Sequence, residues 1–197
     1  MEMHGTIFGL NSIDFLMAFV VAAIVWIRRG DGLVVELVKL LGVVCSVFMA
    51  LHYYTRFAHF LRVQFFGKEA AADLLAFILL SIPTLLIFFV ISRGWDSILG
   101  IKTFKLLDCF GNIVLSFVRG YLICGLILLG LILSQHKYAT PWAQQSISRL
   151  IFPEACVHLY RASYEGFVEK FFPGEPINRT IFTLMEIKVE NVKSNGS

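Results

Sequence analysis

The chain has 197 residues, of which 57% are hydrophobic and 16% charged, with a mean hydropathy of +0.75; soluble domains carry about 45–50% and about 25%. Its net charge of +3 is evenly spread, with ten basic and eight acidic residues up to Leu133 and seven and six beyond it. That balance excludes a nucleic-acid-binding module and leaves lipid as the expected solvent for most of the chain.

The N-terminal MEMHGTIFGL has no basic stretch, and no Ala-x-Ala site follows the first apolar run, so signal-peptide cleavage is not expected. That run, Ile7 to Ile27, contains Asn11 and Asp14 and stops at Arg28, Arg29 and Gly30, where Asp31 and Gly32 complete a turn. The second, Leu33 to Tyr54, carries Glu36 and Lys39 near its start, leaving a short uncharged stretch. The two therefore read either as full spans or as a re-entrant hairpin. The third, Leu74 to Ser92, is uncharged with Pro83 at its centre, which predicts a kink or break repaired by Ser81 or Thr84. Arg93 to Asn112 reads as a connector with a short interfacial helix. The fourth run, Ile113 to Leu133, is long enough to cross about 30 Å of hydrocarbon, and its one charge is Arg119.

Close backbone approach drives helix packing in lipid. Small residues recur at four-residue spacing: Gly42, Ser46 and Ala50; Asn112, Ser116, Gly120 and Cys124; Ala18 and Ala22. These stripes predict three flat helix faces. An arginine at the depth of Arg119 costs about 2.5–3.5 kcal/mol on insertion scales, so it requires a partner or water. Asp108, three helical turns earlier, is too far away within one straight helix, so Asp14 and Glu36 are the expected partners. Glu36 and Lys39, three residues apart, share a helix face. Asp14, Glu36, Lys39, Asp108 and Arg119 thus form the candidate intramembrane network, read either as ion pairs that orient the bundle or as a charged site on a solute path.

His52 and His59 lie seven residues apart beside Tyr53 and Tyr54, and an aromatic interfacial belt explains them better than a metal site. Cys45, Cys109, Cys124 and Cys156 have no Cys-x-x-Cys spacing and read as packing residues. No nucleophile elbow, phosphate loop or dinucleotide fingerprint occurs, so neither enzymatic activity nor a metal or other cofactor is expected.

Asn11-Ser-Ile-Asp14 opening a hydrophobic helix, Arg29-Gly30 closing it, Glu36 one turn into the next, and later Asp108, Gly111 and Arg119-Gly120 resemble the bacterial colicin V production protein family over about residues 11 to 135. His52 to Thr55, HisTyrTyrThr, is similar to members too. The resemblance implies an all-α, polytopic inner-membrane protein with about four transmembrane or partly re-entrant helices. It also implies a helper role in colicin V production or export and envelope homeostasis, without enzymatic activity. Arg29, Gly30, Gly111 and Gly120 would be its turn and packing positions. One departure is that the family often has Asp-Arg where this chain has Asp108-Cys109, which shifts any such role to Arg119 or Lys105.

Residues 1–135 are therefore expected to form the membrane domain and 136–197 a tail that does not visibly match the family. In the tail, Pro153 can begin an amphipathic helix over about 154–172, ended by Pro173 and Gly174. Its apolar face would carry Tyr160, Tyr164, Phe167, Val168, Phe171 and Phe172 and pack on the membrane or the bundle. Thr180 to Val189 reads as a short strand and Asn191 to Ser197 as disordered. The expected partners are the bilayer, other membrane or envelope proteins, and a second copy of the chain. The alternative function is a small oligomeric channel or transporter subunit with Asp14, Glu36 and Arg119 along its path.

Overall fold

A computed structural model describes residues 12–27, 32–64, 69–99, 105–133, 148–172, 174–178 and 181. They form α1 (Ser12–Ile27), α2 (Leu33–Gln64), α3 (Glu69–Leu99), α4 (Lys105–Leu133) and α5 (Ser148–Ser163). One π-helical turn (Tyr164–Val168) and a three-residue α6 (Glu169–Phe171) continue α5. The protein is an all-helical, multi-pass membrane protein. Spans within α2, α3 and α4 are long and apolar enough to cross a bilayer, while α1 is a shorter apolar helix.

Several contacts fix the directions of the helices. Leu33 reaches Gly111, and Glu36 reaches Ser116 and Arg119, so α2 and α4 run parallel. Gly42 meets Phe88, Ser46 donates to the Ser81 carbonyl at 3.0 Å, and Arg62 pairs with Asp73 at 2.6 Å, so α3 returns antiparallel to α2. The thiol of Cys124 reaches the Met17 carbonyl, and Gly120 packs on Val21 and Ile24, which sets α1 antiparallel to α4.

The core is apolar, with Val43, Val47, Leu51, Tyr54, Phe77, Leu122, Leu126 and Leu129 buried together. The outward faces are apolar too: Phe19 and Trp26 on α1, Ile82, Leu86 and Val90 on α3, and Phe110 and Phe117 on α4 are exposed. In water such continuous faces would drive association; in a bilayer they are the lipid-facing surface.

Several sequence expectations need correction. The second run does not end at Tyr54: α2 extends ten residues farther to Gln64, and it carries Glu36 and Lys39 buried inside the bundle. The expected interfacial helix between the third and fourth runs is absent among the described residues, since α3 continues to Leu99 and α4 begins at Lys105. Pro83 does not break α3. The Ser81 and Thr84 hydroxyls donate to the carbonyls of Phe77 and Leu80 at 2.7 Å, not to that of Leu79, which the proline leaves without its helical donor. Ala18 and Ala22 are exposed; α1 packs instead through Ile13, Met17, Val20 and Val21.

In the tail the helix begins at Ser148, and Pro153 is a buried interior residue. So near the helix start a proline forfeits a single backbone bond, which burial of its ring can offset. The aromatic face is divided: Tyr160, Tyr164 and Val168, four apart through the π turn, face the bundle side, while Phe167, Phe171 and Phe172 are exposed. Of the expected strand only Ile181 is described, and it is buried and helical. Residues 191–197 lie outside the described residues.

Candidate functional site

Two polar clusters stand out in this apolar frame, one buried and one reaching the surface. The first lies between α2 and α4. Helical periodicity brings Glu36 and Lys39 to one face of α2 and Ser116 and Arg119 to one face of α4. The faces meet: Arg119 Nη1 lies 3.0 Å from Glu36 Oε2, the Ser116 hydroxyl donates to the same oxygen at 3.1 Å, and Lys39 Nζ lies 3.7 Å from Oε1. Glu36 has no exposed surface, and Arg119 and Lys39 are 5% and 7% exposed. Glu36 also occupies the first turn of α2, where the backbone N–H groups favour negative charge.

The candidate network therefore divides. Glu36, Lys39 and Arg119 converge; Ser116 joins them, although its sequence signal is only its place three residues before Arg119 on a small-residue stripe. Asp14 is held elsewhere. Its Oδ1 accepts from the Ser148 backbone N–H at 2.9 Å and from the Ser148 hydroxyl at 2.5 Å, so it anchors the start of α5. Asp108 belongs to the first turn of α4, but its side chain lies outside the described residues, as do Arg29 and Gly30.

Of the expected packing glycines, Gly111 faces the Leu33 side chain, and Gly120 makes ordinary contacts with Val21 and Ile24 of α1. The closest approach to a backbone atom is at Gly125, where a Cβ would stand 2.6 Å from the Phe152 carbonyl oxygen and against the Cys156 sulfur. Only a bare backbone lets α4 and α5 come this close. Cys156 is buried and donates to the Leu122 carbonyl, and burial pushes its thiol up to about 12.

The second cluster joins α2 to the tail. His52 Nδ1 lies 3.0 Å from the Tyr160 hydroxyl, and Nε2 lies 3.1 Å from Glu175 Oε2. Tyr160 also accepts from the Asn178 N–H at 3.0 Å, and the Glu175 carboxylate, which can only accept, takes its hydrogen bond from the Nε2 side of the His52 ring. Arg56 donates to both Glu175 oxygens at 3.2 Å, Tyr164 donates to the Glu175 carbonyl, and the Asn178 amide donates to the Leu51 carbonyl at 2.8 Å. The hydrogen bonds from His52 and Arg56 hold the Glu175 carboxyl below its ordinary value. His52 and His59 do not act together: His52 is buried, while His59 is exposed. The sequence marked His52 and Tyr160 separately but not Glu175, and nothing in its periodicity joins residues more than 100 positions apart. Among the described residues no three His, Cys, Asp or Glu side chains converge as metal ligands do.

A family model described as colicin V production protein matches residues 13–155, well over half of the chain and every helix from α1 into α5. The chain belongs to the colicin V production protein family. The match extends past His136 into the first half of α5, farther than the resemblance visible in the sequence motifs. No curated protein and no solved structure matches the chain.

Proposed function

We propose that the protein is a non-enzymatic helper of the bacterial inner membrane. In this reading it supports colicin V production or export and envelope homeostasis through other membrane or envelope proteins. Family membership supports the colicin V part. One observation carries the helper reading: Glu36 is wholly buried among Arg119, Ser116 and Lys39. The meeting of these charges between α2 and α4 is what an ion pair that orients a bundle requires, and it supports the helper reading over a charged path.

The test is complementation. In a colicin V-producing bacterium lacking its own family member, expression of this protein should restore secreted toxin, and the purified protein in liposomes should pass no ions. Ion flux that disappears in Arg119→Leu would instead establish the channel alternative.

A further inference from the structure

The ion cluster borders a cleft of about 390 Å³ to which all four bundle helices contribute, within the size range of small-molecule sites. Among the described residues, Lys39 and Arg119 are the charged ones on its wall, and Glu36 is not on it. The rest is apolar. Val43 lies one turn beyond Lys39 on α2 and Ile123 one turn beyond Arg119 on α4, and because these helices run parallel the cleft is cationic at one end and apolar toward the other. Ile24 of α1 and Leu86 of α3 contribute from the other two helices. Leu86 is 56% exposed and belongs to the outward stripe with Ile82 and Val90, so the cleft opens sideways toward lipid.

Lys39 lies six residues from the start of α2, ~9 Å along the helix axis. The polar end is thus the outer one, and polarity falls toward the membrane centre as it does along a phospholipid of that leaflet. Basic pockets between membrane helices select anionic headgroups, and a guanidinium matches phosphate oxygens geometrically.

We propose that this cleft binds an anionic phospholipid of the phosphatidylglycerol type, its phosphate at Lys39 and Arg119 and one acyl chain along Val43, Ile123 and Leu86. The full-length protein, exchanged into mixed micelles holding equal phosphatidylglycerol and phosphatidylethanolamine, is read by native mass spectrometry. The unaltered protein should retain phosphatidylglycerol in preference. Lys39→Gln should lower that retention about fivefold. Leu86→Trp, which touches no charge and sits at an exposed rim, should lower it while leaving thermal stability unchanged, and it decides the matter if Lys39→Gln does not fold. Equal retention of both lipids by the unaltered protein, or undiminished phosphatidylglycerol on the folded variants, overturns the site.

Discussion

Gly120 and Gly125 are both buried on α4, yet their neighbours predict opposite tolerance. At Gly125 an added methyl meets the backbone carbonyl of Phe152, which cannot swing aside, so Gly125→Ala should cost about 1–3 kcal/mol by overpacking. At Gly120 the nearest atom would be Val21 Cα at 3.5 Å, an ordinary contact, so Gly120→Ala should change stability little. Thermal unfolding of the two variants in detergent checks the contrast; equal losses would mean that α5 does not sit against α4 as described. Gly120 was legible as part of a small-residue stripe. Gly125 was not, because its reason for being glycine is a helix some thirty residues later in the chain. For the charge, Arg119→Ala should weaken assembly more than Arg119→Lys, since lysine keeps a cation beside Glu36 and alanine leaves that carboxylate without its guanidinium. Equal detergent stability of the two would deny the charge a packing role.

At the scale of elements, α5 and the segment after it are tied down at both ends. Asp14 holds the Ser148 N–H at the start, and Glu175 joins His52 and Arg56 beyond α6. Asp14→Ala should release the first turn of α5 at a cost of about 1 kcal/mol, seen as faster amide exchange near Ser148. The Glu175 contact is pH-dependent, and its sign follows from the lowered carboxyl. Its stabilising contribution is fully present above the ordinary value of 4.5 and is lost as pH falls through the lowered folded-state value. Limited proteolysis of the tail should therefore accelerate as the pH is lowered below about 4.5, and Glu175→Gln should remove that pH dependence. An unchanged profile in Glu175→Gln would place the acid-sensitive contact elsewhere. None of this docking could be read from the chain, since the partners are single residues without periodicity. What could be read was the helical, aromatic character of the tail and its tendency to pack on something.

For the whole molecule, the four apolar runs and the need of Arg119 for a carboxylate were visible in the sequence because both follow from lipid as solvent. A 21-residue run without other charges must span, and a guanidinium at that depth must be answered. Which carboxylate answers it depends on the order of helices around the bundle, and hydropathy carries no record of that order. Hence Asp14 and Glu36 looked alike until the fold sent one to α5 and the other to α4. The ends of α2 and α3 were misjudged for a related reason: beyond the apolar stretch they pair with each other through Arg62–Asp73 and a small core of Ala58, Leu61, Ala72 and Ala76, which is a tertiary and not a lipid signal.

If Glu36 and Arg119 lock α2 to α4 as one structural unit, their substitutions must be energetically coupled. A double-mutant cycle of Glu36→Leu, Arg119→Leu and their combination, read as thermal stability in detergent, measures that coupling. Each single substitution leaves its partner's charge buried and should cost about 3–5 kcal/mol, whereas the double variant should cost clearly less than the sum of the two. Two single losses that simply add in the double variant would mean that the two side chains do not act together.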